Sequence, residues 1–279
     1  MTISNISQKS ILRTLEELGR SQNASMQRLA TGTMLNSAAD GASSMAILNK
    51  LHAQIQGMDA AAKNAQNGIS MVQTAEGGLG RINDMLLQAR DLALQASNGT
   101  LGSEERAVIG NQIMQLFEEI DGIAGRTEFN GKKLLTGDYA TNKIHLQVGA
   151  NSGQSILFNI ADARVSALGL DSVKSALGNF GSMSGADISN LITMFDDAQQ
   201  IVSKEQASLG ALNNRLGYTI KNLENQSDNL TDAASRIGDT DMAKEMMNLA
   251  RINVLTQASM AMMVQYQQQS ENILWLIKR

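Results

Sequence analysis

Residues 188–237 read ISNLITMFDDAQQIVSKEQASLGALNNRLGYTIKNLENQSDNLTDAASRI. Within them Ile188, Phe195, Val202, Leu209, Leu216, Leu223, Leu230 and Ile237 recur at intervals of seven. A companion column, Leu191, Ala198, Glu205, Leu212, Thr219, Gln226 and Ala233, is only partly apolar. A strict repeat of seven keeps one helical stripe facing a partner over many turns and imposes supercoiling on the pair. The stretch therefore predicts a long rod with the first column as its bundle core, and it requires partner rods elsewhere in the chain.

Upstream, Leu48, Leu51, Ile55, Met58, Ala62, Ala65, Ile69, Val72, Ala75, Leu79, Ile82, Leu86, Ala89, Ala93 and Ala96 follow alternating steps of three and four, with one slip between Ile69 and Ala75. One seam held over so many turns without caps is expected to be a second rod. Asn98, Gly99 and Thr100 turn the chain, and Ser103 with the acidic Glu104 and Glu105 is expected to start a third helix with the seam Ile109, Ile113, Leu116, Ile120 and Ile123.

Nearer the start, Ile11, Leu15, Leu18, Gln22 and Leu29 mark a helix with a narrow seam that ends near Gly32. The stretch that follows has no period and reads as a connector, in which Ser37 and Asp40 offer a capping pair for the next helix. Between Phe129 and Ile160 the pattern changes. Asn130-Gly131 and Gly137-Asp138 are turn signals, and Ile144, Leu146 and Val148 alternate with polar residues, so a small β-hairpin region is expected. Residues 161–185, rich in Gly, Ser and Ala, read as irregular and exposed. After Gly238, Asp239 or Asp241 is placed to cap a last helix through Met242, Met246, Leu249, Met260 and Met263 toward the end.

The fold expected is mainly α, an elongated antiparallel helical bundle or coiled coil with a small β-hairpin region and a terminal helix pair. Its divisions are 1–33 (first helix), 34–43 (connector), 44–237 (bundle, with the hairpin region near 129–160 and the irregular segment 161–185) and 238–279 (last helix). Composition supports long helices. At average usage about fourteen prolines would be expected, and the 279 residues contain none. The absence of cysteine excludes disulfides, thiol catalysis and Cys-ligated zinc. A net charge of -4 gives no electrostatic footprint for nucleic acid or anionic lipid, and aromatics at 3% are too sparse for base-stacking surfaces. The start, MTISNISQKSILRTLEELG, lacks a basic cluster followed by an apolar run, so no cleavable secretory signal is expected.

No chemistry assembles from the remaining residues. His52 and His145 have no acidic cluster at ligand spacing, and metal sites need several converging donors. The glycines of EGGLGR, Gly77 to Gly80, lie inside a helical period instead of after a strand, which points to close packing or flexibility and not to a phosphate loop. Capping explains Asp239 and Asp241 with fewer assumptions than calcium does. No catalytic residue, cofactor or metal is assigned.

The tail INVLTQASMAMMVQYQQQS, Ile252 to Ser270, contains no charge. As a helix it is long enough to cross a bilayer, yet Asn253, Thr256, Gln257, Ser259, Gln265, Gln267, Gln268, Gln269 and Ser270 make it too polar for lipid. Membrane insertion is not expected; packing against protein is.

Three stretches resemble bacterial flagellin: RLATGTMLNSAADGASSMAI, EFNGKKLLTGD with LQVGANSG, and SRIGDTDMAKEMMNLARINVLTQASM. The spaced Ser235, Ile237, Asp239, Asp241 and Ala243 carry the resemblance most specifically, and it covers nearly the whole chain. The variable outer region of the family is almost absent, so the chain resembles a minimal flagellin. The resemblance implies a homopolymer: a filament subunit for motility, exported unfolded through the flagellar type III apparatus and extracellular once assembled. The terminal helices would form the inner tube, with Ile11, Leu15, Leu18, Leu29, Met246, Leu249, Met260, Met263 and Leu274 at the filament interface. Implied partners are copies of the same chain, the export apparatus and its chaperone, and the filament cap and hook-junction proteins. The flexible methionines of the last helix, Met242, Met246, Met247, Met260, Met262 and Met263, suit a surface that repacks between such partners. The uncharged tail would supply apolar contacts to neighbouring subunits and a polar, uncharged channel wall.

Many flagellins are also detected by a Toll-like receptor through a helix resembled here by LLQARDLALQ. Arg90, Leu92 and Gln95 fit that pattern, whereas Gln88 stands where the family has arginine and Gln112 where it has an acidic residue. The resemblance therefore implies weakened recognition. A hook–filament junction protein, or another secretion-system coiled-coil component, is the alternative reading. LNSAAD, the Ser235 to Ala243 spacing and the FNGKKLL hairpin favour the filament subunit.

Overall fold

The computed structural model describes residues 2–277, with side chains from Lys9 to Gln269. Helices dominate. They are α1 (Thr2–Thr31), α2 (Ala38–Ala96), α3 (Ser103–Arg126), the short α4 (Asp138–Thr141) and α5 (Asp171–Leu177), α6 (Gly185–Gly238) and α7 (Met242–Ile277). A 3-10 turn (Phe180–Ser182) and two antiparallel strand pairs complete the described elements, β1 (Glu128–Phe129) with β2 (Lys132–Lys133) and β3 (Ile144–Gln147) with β4 (Ser155–Phe158). The chain divides into two compact units, one of residues 56–227 and the other of residues 1–55 with 228–279. Both division points fall inside α2 and α6, whereas the reading from sequence divides the chain at 33–34, 43–44 and 237–238.

In the unit of residues 56–227, α2 and α6 run antiparallel: Ser227 Oγ donates to Asp59 Oδ1 at 3.3 Å near one end, and Arg90 pairs with Asp196 at 2.6 Å near the other. The buried seam of α2 is Met58, Ala61, Ala65, Gly68, Val72, Ala75, Leu79, Ile82, Leu86, Ala89, Ala93 and Ala96, an unbroken alternation of three and four. This corrects the seam read from sequence, which passed through Ala62 and Ile69 and needed a slip; both are only half-buried. Gly68 replaces Ile69 because a Cβ there would lie 2.5 Å from Leu146 Cδ2 of β3 and 3.4 Å from Leu216 Cδ1 of α6. The β-hairpin region packs where the rod carries no side chain.

Of the seven-residue column on α6, Ile188, Phe195, Val202, Leu209, Leu216 and Leu223 are buried, and Leu230 and Ile237 are half-buried. Glu205 in the companion column accepts the Ala161 N–H at 3.0 Å, so a carboxylate on the seam serves the backbone leaving β4. On α3, Phe117 is buried and meets Phe195 with ring centroids 5.9 Å apart. The expected seam residue Leu116 is half-buried instead. The N-cap is Gly102, not Ser103, and its N–H donates to the Glu105 carboxylate.

Asn130 and Gly131 have φ of 50° and 75°, the left-handed pair that closes a two-residue hairpin between β1 and β2. Residues 161–185 are neither wholly irregular nor exposed. They contain α5 and bury Ala163, Val165, Leu168, Leu170, Val173, Leu177 and Phe180 in the same core. Asp121 of α3 anchors this segment by accepting the Val165 N–H at 2.9 Å. Small residues here permit close approach: a Cβ on Gly181 would lie 2.6 Å from the Ser103 carbonyl oxygen.

In the other unit, α1 and α7 lie side by side, and Thr33 bridges Asp239 in antiparallel fashion at their join. Gly41 interrupts α2 with non-helical backbone, so Ala38 to Asp40 form a separate turn. Asp40 accepts from the Ser37 N–H at 2.8 Å, as the expected capping pair requires. The Ser37 hydroxyl, however, donates to the same carboxylate at 3.0 Å instead of accepting from Asp40.

Candidate assembly surface

The seam between α1 and α7 is built on heptad spacing, with polar residues set among its aliphatic ones. On α7, Glu245, Leu249, Ile252, Thr256, Ser259, Met263 and Tyr266 share the covered face, with Ile252 and Ser259 buried. On α1 the matching positions are Ile11, Leu15, Leu18, Gln22, Ser25 and Leu29, of which Ser25 is 2% exposed. Polar pairs cross the seam: Gln22 Nε2 donates to Asn253 Oδ1 at 3.0 Å, and Asn248 Nδ2 to Ser25 Oγ at 3.4 Å. Arg28 lies 3.9 Å from the Glu245 carboxylate. Such pairs fix register and antiparallel direction, and each contributes only about 0.5–1.5 kcal/mol net.

The pairing leaves much apolar surface uncovered. Met242, Met246, Met247, Val254, Leu255, Met260, Met262 and Val264 of α7 are exposed, as are Leu12 and Met26 of α1. At 100° per residue the exposed α7 positions spread over most of the circumference left free by the seam. Apolar side chains exposed on several sides of one helix, among polar ones, point to several protein neighbours. Among the described residues no helix is long and apolar enough to cross a membrane. Of the residues expected at a filament interface, Ile11, Leu15, Leu18, Leu29, Leu249 and Met263 sit half-buried on the α1–α7 seam, and Met246 and Met260 face outward. The Leu274 side chain lies outside the described residues.

Asp241 caps α7 by accepting the Lys244 N–H at 3.1 Å, while Asp239 accepts from the Ser235 hydroxyl. The join is closed by Met34 N–H to the Gly238 carbonyl at 2.7 Å and Thr240 N–H to the Gly32 carbonyl at 2.9 Å. The Ser, Asp and Asp of this spaced motif are thus consumed in capping and in tying the connector to the entry of α7.

The positions that resemble a receptor-facing helix are split. Gln88 and Gln95 of α2 and Gln112 of α3 are exposed, whereas Leu92 packs partly against the core. The Arg90 guanidinium is held by Asp196 of α6, whose hydrogen bond raises it above its usual value. A shallow groove of about 490 Å³ beside Gly77 and Gly78 is lined by Arg81, Glu119, Arg126 and Glu128. There Arg126 pairs with Glu119, and Glu128 with Lys133. Among the described residues no group of His, Asp or Glu could hold a metal ion.

Two family models match the chain, the bacterial flagellin N-terminal helical region over residues 3–140 and the bacterial flagellin C-terminal helical region over residues 192–277. The chain is 39% identical to a flagellin of Bacillus subtilis, covering 96% of this chain and 97% of that one. It is 42% identical to a flagellin of Halalkalibacterium halodurans, covering 94% and 93% respectively. The alignment with Flagellin B of Vibrio cholerae, at 28% identity, spans 370 positions against the 279 residues of this chain, so that relative carries additional sequence. Among solved structures, a candidate flagellar hook-associated protein from Vibrio parahaemolyticus superposes with a TM-score of 0.63 at 15% identity. The match covers 72% of this chain and all of that one, a likeness of fold.

Proposed function

The chain belongs to the bacterial flagellin family, and from that premise we propose how its surfaces serve the polymer. It is a structural subunit of the flagellar filament, in a short form, and not an enzyme. Relatives at 39% and 42% identity over most of their length are flagellins, which disfavours the hook–filament junction alternative.

Terminal helices α1 and α7 are the inner assembly surface, packed in the filament against their copies in neighbouring subunits. The observation that carries this reading is the apolar surface of α7, exposed around most of the helix after α1 has taken its one face. Each exposed methionine, valine or leucine covered in the polymer contributes about 25 cal/mol per Å², so the monomer's weak terminal pair gains its stability from neighbours. The decisive test is truncation after Gly238: the truncated chain keeps its helical bundle by circular dichroism but forms no filaments under conditions where the full chain does. Filaments from the truncated chain would refute the assignment.

Export in an unfolded state through the type III apparatus, and contacts with an export chaperone, the filament cap and hook-junction proteins, follow from family membership; the assembled site is extracellular. Recognition by a Toll-like receptor is weak on this reading. Gln88 and Gln112 are neutral where charge-assisted contacts would be needed, and Arg90 is engaged by Asp196. Potent signalling by the purified monomer, comparable to a receptor-active flagellin, would overturn that point.

A further inference from the structure

Methionine is distributed between the two units with a marked asymmetry. Every described methionine that is exposed, namely Met26, Met34, Met242, Met246, Met247, Met260 and Met262, belongs to the unit of the terminal helices. In the unit of residues 56–227, Met58 and Met71 are buried, and Met85, Met114, Met183 and Met194 are half-buried. The chain contains no cysteine, so no thiol competes for a two-electron oxidant. Susceptibility to such oxidants follows exposure of the sulfur, and the product turns a flexible apolar side chain into a polar, chiral one.

We infer that the exposed methionines of α7, Met242, Met246, Met247, Met260 and Met262, together form a reversible oxidation-sensitive surface that gates assembly. Hydroperoxides convert it to sulfoxide in the free subunit and thereby block polymerisation, leaving the unit of residues 56–227 folded. This rests on the reading of α7 as the assembly surface. In the chemical step the thioether sulfur lone pair attacks one peroxide oxygen and the O–O bond breaks. Sulfur is oxidised by two electrons to the sulfoxide, and the other oxygen leaves, after proton transfer, as water from hydrogen peroxide or as the alcohol from an organic hydroperoxide. At the exposed sites, Met247 at 64% and Met246 at 56%, the oxidant reaches sulfur without any opening of the fold. At Met58 and Met71, 5% and 7% exposed, it does not. A sulfoxide carries a strong acceptor oxygen, and covering it without a donor incurs the desolvation penalty of an unpaired polar group. In the filament the same sulfurs are covered, so assembled subunits are protected.

The test treats full-length monomer with hydrogen peroxide, maps sulfoxides by peptide mass spectrometry, and follows polymerisation by sedimentation and electron microscopy. The same dose is applied to preformed filaments. Sulfoxide at the exposed methionines, those of α7 among them, and not at Met58 and Met71, loss of pelletable filament with the helical circular dichroism of the bundle retained, recovery on treatment with a methionine sulfoxide reductase and thiol reductant, and sparing of the α7 residues in preformed filaments support the inference. A variant with all five methionines replaced by leucine, a swap close in volume, polymerises after peroxide. Equal oxidation of Met58 and Met71, oxidised wild-type protein that polymerises like untreated protein, or a leucine variant as peroxide-sensitive as wild type would each overturn it. If the leucine variant does not assemble untreated, reductase rescue of oxidised wild-type protein decides. Failure of the untreated wild-type chain to polymerise would instead refute the assembly reading, and the two failures are therefore distinct.

Discussion

Thr33 and Asp239 form an isolated antiparallel bridge that fastens the end of α1 to the entry of α7. Asp239 is positioned for it by the Ser235 hydroxyl, which donates to its carboxylate from the last turn of α6. Ser235→Ala removes that donor and is expected to destabilise the terminal unit by about 0.5–1.5 kcal/mol. The check is the change in the lower-temperature part of the circular dichroism melt. A melt superposable on wild type would show that the bridge does not depend on Ser235.

Two glycines should respond in opposite directions to the same substitution. Open space surrounds the place a Cβ on Gly77 would take, so Gly77→Ala is expected to gain about 0.8–1 kcal/mol from helix propensity alone. A Cβ on Gly110 would stand 2.8 Å from Phe180 Cβ and 3.1 Å from its ring. Gly110→Ala therefore overpacks the core at a cost of about 1–3 kcal/mol, partly offset by the same propensity gain. Urea denaturation of the two variants gives midpoints on either side of wild type; midpoints shifted the same way would contradict the packing described.

Phe195→Ala empties the centre of the bundle, where Phe195 is 1% exposed and rests on Phe117. The expected loss is about 3–5 kcal/mol, and Tyr218→Ala on the exposed face of the same helix should move stability within about 0.5 kcal/mol of wild type. Equilibrium denaturation followed by circular dichroism compares the two.

The Asp40 carboxyl is held below the ordinary carboxylate range, first by the Ser37 N–H, then by the Ser37 hydroxyl, with further help from the Asn36 N–H and the charge of Arg28; desolvation opposes them. A depressed native pKa means that the unfolded chain binds the proton more readily. The stabilisation is thus complete above the unfolded value and lost as pH falls through the native one. The stability difference between wild type and Asp40→Asn is expected to shrink across that acidic window. A difference independent of pH there would show that the ionised carboxylate is not the stabilising species.

Gln267 and Gln268 are exposed on the uncharged tail of α7. On the reading in which they face the filament channel, Gln267→Glu combined with Gln268→Glu places fixed charge along the path of exported chains and slows filament growth. Normal filament length and growth rate in the double variant would refute the channel assignment.

The long-range architecture was legible because seven-residue periodicity survives in single residues: Ile188 to Leu223 are buried as their spacing demands. What failed was local and had a tertiary cause. Ala62 and Ile69 are more apolar than Gly68, yet Gly68 lies on the seam because Leu146 arrives there from a hairpin more than seventy residues on. Leu116 and Phe117 are equally good seam residues until Phe195 comes to face one of them. Residues 161–185 look like a solvated loop by composition, and their burial becomes visible only when Asp121 and the wall of α3 supply partners. At the candidate surface, the apolar residues of α7 were visible, but not their division into a covered face and an uncovered one. That division is set by where α1 lies, and Gln22 and Ser25 encode it in a form that periodicity of apolar residues does not detect.

The amides and hydroxyls set among the aliphatic residues of the α1–α7 seam behave as an address more than as an adhesive. A seam of aliphatic residues alone would let the pair slide by a turn and still cohere. A seam matched through Gln22–Asn253 and Ser25–Asn248 scores one alignment above all others while giving that alignment little strength. On the assembly reading proposed above, proofreading is thereby separated from commitment: a misaligned pair comes apart at small cost, and a correctly aligned one would offer neighbours the full set of apolar contacts.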